Sequence, residues 1–152
     1  MVVVDTLTNA VIDRIKVGNN PTEIKIAQDG KRAYVLLQHG STMMTIIDLE
    51  THGIIENIQY PCGVTAQFDF ELSADERYVY IPAFDSNFIH VFDLQEIKTV
   101  KVINTSLDPF NIAITPDKHY TYVTEVTGDK ISVIDTTTSR LINVIDLREL
   151  YE

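Results

Sequence analysis

Apolar and polar positions alternate along this chain in short runs, and the runs recur. Four β-branched or aromatic runs end in aspartate: VVVD, TIID, HVFD and SVID, closing at Asp5, Asp48, Asp93 and Asp135. Their spacings are 43, 45 and 42 residues, and ten residues beyond each aspartate stands an isoleucine: Ile15, Ile58, Ile103 and Ile145. Four copies holding one offset mark an internal repeat. A second register lies upstream in three copies, where Asp29, Asp75 and Asp117 are each followed five residues later by Tyr34, Tyr80 and Tyr122. Before these come the alternating stretches Ile24/Ile26, Phe68/Phe70/Leu72 and Phe110/Ile112/Ile114, opened by turn residues at 18–21, 61–63 and 108–109.

Each unit therefore predicts four short strands. In the first full copy strand a covers about 22–27, b 32–37, c 43–47 and d 54–58, with Gly, Pro, Asp and Asn between them. The aspartate closing strand c has a mechanism: a short carboxylate accepts hydrogen bonds from amides two residues on and closes a turn. Asp5, Asp48, Asp93 and Asp135 are thus read as structural turn residues. No helix competes; the tail at 147–152 is too short to stand alone.

A period of 40–45 residues with four strands per unit is the β-propeller signature. A helical repeat of that period would need 3.6-residue apolar spacing, which is absent. The fold class is all-β: a propeller of about three and a half four-stranded antiparallel blades of 42–45 residues. The chain reads as one partial propeller domain: half blade 1–16, blades 17–58, 59–103 and 104–145, and tail 146–152.

The segments VGNNP…AQDGKRAYVLL…TIIDLETHGIIENI and DPFNIAITPDKHYTYVTEVTGDKISVIDTTTSRLINVI resemble the YVTN family of β-propeller repeats. Tyr122-Val123-Thr124 and Val133-Ile134-Asp135-Thr136 carry the resemblance most clearly, and Ile81-Pro82 departs from it. The resemblance, to YncE-like and surface-layer-like propellers, covers essentially the whole chain. It implies a fold and not an activity, because related propellers include lactonase-like enzymes and haem d1-binding domains.

Residues 1–16 supply only strands c and d, and a ring needs 4–8 closed blades. Two expectations follow. The chain is part of a longer polypeptide, or it closes by self-association or with another propeller segment. Its place is extracytoplasmic, periplasmic or at the cell surface, in the first case, and cytoplasmic if Met1 is the native start.

The net charge of −10 opposes nucleic-acid phosphates and anionic membranes, and no apolar run is long enough to span a bilayer. A single cysteine, Cys62, excludes an intrachain disulfide and a multi-thiolate metal site. The four histidines share no repeat position and no ligand spacing, so no metal site is expected.

In a propeller the d–a and b–c connections meet on one face. There the chain offers His39, Asp85, Asn87 and Asp129 as ligand-binding candidates, with Asp69 and Glu71 of strand a facing a central channel. No catalytic residue stands out. The sequence favours a non-catalytic binding or scaffold module, without a cofactor, for a protein or ligand partner or further blades. The alternative is a fragment of a propeller enzyme or cofactor-binding protein, haem d1-type or lactonase-like, in which His39 with Asp69 is the best constellation and haem the cofactor.

Overall fold

Runs with a two-residue period, dense in Val, Ile, Tyr and Thr, make only antiparallel strands. The computed structural model describes residues 1–38, 40–59 and 67–150, and contacts divide the chain into two units, Met1–Tyr60 and Pro61–Glu152. In the first unit β1 (Val2–Val4) and β2 (Val11–Arg14) form a hairpin. A four-stranded meander follows: β3 (Pro21–Ile26), β4 (Arg32–Leu37), β5 (Thr42–Asp48) and β6 (Ile54–Gln59). The second unit holds two more meanders. The first is β7 (Glu71–Leu72), β8 (Tyr78–Ala83), β9 (Phe88–Asp93) and β10 (Lys98–Asn104). The second is β11 (Pro109–Ile114), β12 (Tyr120–Glu125), β13 (Lys130–Asp135) and β14 (Arg140–Asp146). Single 3₁₀ turns occupy Phe84–Ser86 and Leu147–Leu150. One expectation is corrected: the alternation from Phe68 predicts a full strand a, but the paired ladder begins only at Glu71.

The turn closing strand c is built the same way each time. Asp5 Oδ1 accepts the amides of Leu7 (2.9 Å) and Thr8 (2.8 Å), and Asp48 Oδ1 those of Glu50 (3.0 Å) and Thr51 (2.7 Å). Asp93 takes the amides of Gln95 (2.8 Å) and Glu96 (3.0 Å), and Asp135 that of Thr138 (2.8 Å). Asp93 is also buried against the guanidinium of Arg77, whose Nε lies 2.9 Å from Oδ2. The fourth residue after each aspartate turns left-handed: Asn9 (φ 56°), His52 (58°), Ile97 (52°) and Ser139 (50°). Each of these hairpins also carries a register shift one or two residues before the aspartate or within the facing strand. Such bulges add twist and set the isoleucine ten residues on back toward the core.

Each unit has its own packed seam. In the first, Ile15, Val17 and Val3 meet Ala33, Val35, Leu37 and Ile47 of the next sheet. In the second, Tyr80, Ile89, Val91 and Ile103 pack against Ile112, Val123 and Ile134, with Tyr78 at the margin. Tyr80 is fully buried, and its hydroxyl lies 3.0 Å from both Thr136 O and Ser139 Oγ in the c–d turn of the following sheet.

Two outcomes are expected. Ile97 places a β-branched side chain, 42% exposed, at a left-handed position. Ile97→Asn should raise stability by about 1 kcal/mol in urea denaturation, because asparagine tolerates that backbone at lower cost. Amide and hydroxyl donors hold Asp5, Asp48 and Asp135 below the ordinary carboxylate value of 3.8. Burial pushes Asp93 upward, but Arg77 and the turn amides outweigh it, and Arg148 draws Asp146 down to about 2. A lowered folded pKa means stability that is complete above the unfolded value and lost as pH falls through the folded one. Unfolding followed by circular dichroism should therefore set in below about pH 4 and deepen toward pH 2. Asp93→Asn should blunt this response more than Asp135→Asn.

Candidate functional site

Meander topology sends every b–c and d–a connection to the same end of its sheet. In the second unit three phenylalanines cluster at that end. Phe68 precedes β7, Phe84 opens the 3₁₀ turn between β8 and β9, and Phe110 is the second residue of β11. The Phe68 and Phe110 ring centroids are 5.0 Å apart, Phe84 lies 6.0 Å from Phe68 and 5.8 Å from Phe110, and Phe68 stays 37% exposed. The edge-on and tilted contacts are those aromatic quadrupoles prefer. The cluster is an open apolar bed rather than a sealed core.

The polar candidates around it are largely occupied by the backbone. Asp69 is buried; its Oδ1 accepts the amide of Phe70 (2.8 Å) and its Oδ2 that of Ile112 (3.0 Å). It ties the approach to β7 to β11. Asn87 and Asp129 sit at equivalent left-handed positions after β8 and β12 (φ 54° and 48°). Asn87 Oδ1 accepts the Asp108 amide at 2.9 Å, and Asp129 O accepts that of Leu147 at 2.7 Å. Glu71 is half-buried in β7, opposite Tyr80. Asp85 lies in the 3₁₀ turn, its side chain beyond the description. His39 and Cys62 lie outside the described residues. In the first unit, Gly18, Asn19, Leu37, Gly40, Ser41 and Thr42 line a hollow of about 150 Å³. Gly18 is favoured there by its φ of 119°, a backbone conformation that L side chains rarely adopt.

Three further features stand beside these candidates. Glu125, buried, accepts Ser132 Oγ at 2.6 Å and the amides of Ser106 (3.2 Å) and Leu107 (3.1 Å), pinning the d–a connection. His90 stands edge-on to Phe88 at 4.9 Å, with neither buried ring nitrogen meeting a partner among the described residues. Burial lowers its pKa and keeps the imidazole neutral. The third is the phenylalanine cluster itself: Phe68 and Phe110 share a repeat position, whereas Phe84 comes from a connection with no repeat signal. At the opposite end, a cavity of about 330 Å³ is bordered by Asp75, Asp117 and His119. Its carboxylates are taken up by their own turns, Asp75 by Ser73 and Asp117 by Thr115. Among the described residues no group of three or more His, Cys, Asp or Glu is placed to hold a metal ion.

Antiparallel four-stranded meanders repeating about every 42 residues define a partial β-propeller. Solved structures agree. Hydrazine synthase of Kuenenia stuttgartiensis matches with a TM-score of 0.71 at 23% identity, over 84% of this chain and 36% of that one. Dihydro-haem d1 dehydrogenase NirN, in complex with DHE, matches at 0.66 and 18%, over 91% and 30%. U3-55K matches at 0.70 and 14%, over 87% and 41%. The chain thus spans about a third of the length of these structures, and at such identities the likeness is one of fold. The model of the cytochrome D1 haem domain matches residues 29–152, and the chain belongs to that family. Comparison with curated proteins gives no match.

This membership overturns the expectation of no cofactor, since the family is a haem domain family and a dihydro-haem d1 enzyme shares its fold. The physical reason for the miss is that a macrocycle is held by surfaces from several connections and leaves no spaced motif in one stretch of sequence.

Asp69→Ala should strand the amides of Phe70 and Ile112, costing about 1–3 kcal/mol in chemical denaturation. Hydrogen exchange at the Ile112 amide should rise with it. A protein of unchanged stability and protection would show that the carboxylate is not a structural tie.

Proposed function

We propose that this chain is part of a haem d1-type propeller and that the Phe68–Phe84–Phe110 cluster contributes an apolar bed for the macrocycle. Family membership over residues 29–152 carries the reading, and it favours the haem alternative over a scaffold without cofactor. The residues fit in kind. Three partly exposed rings on a rigid sheet end suit one face of a flat conjugated ring. A neutral imidazole is the usual axial donor, and in the same unit His90 has buried ring nitrogens without a partner among the described residues. The YVTN-like residues then build blades and do not define the ligand. Bound haem would supply redox or ligand-binding chemistry at its iron. The chain's own part is to hold the ring and to limit its contact with water.

The fit is apolar and not ionic. The chain carries −10, and a haem carries carboxylates. Salt should therefore strengthen the binding rather than weaken it. Titration of the purified chain with haem d1, followed by absorbance, should give a saturable spectral shift. Phe68→Ala and Phe110→Ala should each weaken binding about tenfold, or ~1.4 kcal/mol. His90→Ala should alter the iron spectrum of the bound haem. No saturable shift, or binding indifferent to both phenylalanines, would overturn the reading.

A further inference from the structure

Pro82 stands inside β8, buried, in a strand flanked by β7 on one side and β9 on the other. A proline removes a donor from the ladder, so prolines keep to edges, strand starts and bulges. The donor lost here can be named. Tyr78 O accepts the Ser73 amide at 2.9 Å, so Tyr78, Tyr80 and Pro82, two residues apart, turn their main-chain groups toward β7. Glu71 pairs with Tyr80, and the next hydrogen-bonded pair on that ladder would join Asp69 to Pro82. Pro82 has no N–H to give Asp69, and the paired ladder ends at Glu71.

The other copies show what the proline removes. Two residues after the repeat tyrosine the first copy has Leu36 and the third Thr124. Leu36 pairs with Glu23, the equivalent of Asp69. Thr124 Oγ1 accepts the amide of Asn111, the other equivalent, at 3.3 Å, donates to its carbonyl at 3.4 Å, and Pro109 pairs with Glu125 beyond it. In both copies strand a stays on strand b past this point. In the second sheet it leans on the next sheet instead. Asp69 Oδ2 accepts the Ile112 amide of β11 at 3.0 Å, and Asp69 and Phe70 are buried. Phe68, directly before them, meets Phe84 and Phe110. We propose that Pro82 is a positioning residue of the macrocycle site: by ending the β7–β8 ladder it hands residues 67–70 to β11 and so sets Phe68 on the aromatic bed. Its role toward a ligand rests on the haem reading of that bed; its hold on Phe68 does not.

Pro82→Val restores the N–H without adding a buried polar atom, and Pro82→Ala restores it without bulk. Nuclear magnetic resonance on the whole chain reads the placement directly. In each variant the amide of residue 82 should be protected from exchange, and the ring contacts between Phe68 and Phe110 should be lost. Stability in urea should change little, because the regained hydrogen bond offsets the unfolded-state freedom that proline had removed. Affinity for haem d1 should nevertheless fall about tenfold, as for Phe68→Ala, and Pro82→Val combined with Phe68→Ala should fall no further. A proline that served folding alone would show the reverse, with stability lost and affinity kept. Ring contacts that persist in both variants overturn the proposal, and so does affinity that survives their loss. A wild-type chain that takes up no haem d1 overturns the functional reading, and the ring contacts alone then decide whether Pro82 sets Phe68.

Discussion

The structure depends on one seam, the face of one sheet laid on the next. In the second unit Tyr80, Ile89, Val91 and Ile103 of one sheet are laid on Ile112, Val123 and Ile134 of the next. Burying such side chains stabilises by about 1.5–3 kcal/mol each. The tyrosine adds a condition that aliphatic packing lacks: a buried phenol must find a hydrogen-bond partner. Tyr80 finds the main-chain carbonyl of Thr136, which the Asp135 turn holds in place. Burial raises the Tyr80 pKa, so the hydroxyl keeps the proton that it donates. The aspartate turn and the tyrosine are thus two ends of one interaction, which explains why both hold fixed positions in the repeat.

This is why so much of the fold was legible. The turn is local, and its chemistry needs only a carboxylate followed by two or three amides. Strand b was read at its observed limits, Arg32–Leu37, because an Asp-Gly turn precedes it. What the alternation hid was pairing. Phe68 and Phe70 keep a strand-like period, but their polar neighbour Asp69 spends its carboxylate on Ile112 and the ladder starts later. The bulges before the aspartates were equally invisible, since an inserted residue leaves no mark on composition.

The site was less legible for a related reason. Asn87 and Asp129 attracted attention as polar residues on the ligand face, yet both are the left-handed residue of the same turn. Polar character there serves backbone geometry first. The aromatic bed draws its residues from three connections far apart in sequence, and only two share a repeat position. Aromatic clusters of that kind carry no spacing rule of the sort that betrays a zinc or phosphate site.

A repeat offers a way to separate structure from other work, because a position serving the blade should be solved alike in every copy. The third residue before the strand c aspartate is such a position: Thr45, His90 and Ser132. Thr45 ties the connection before its sheet by donating to Val17 O at 2.8 Å. Ser132 does so through Glu125, which holds the amides of Ser106 and Leu107. In the middle copy the Glu125 position is Ala83, and the tie is replaced by an imidazole without a partner among the described residues. Leaving buried polar nitrogens unsatisfied costs about 1–3 kcal/mol, which packing alone does not explain when Ser or Thr meets the need elsewhere. The departure from the repeat therefore marks His90, more than any residue on the open face, as the histidine for which structure supplies no reason.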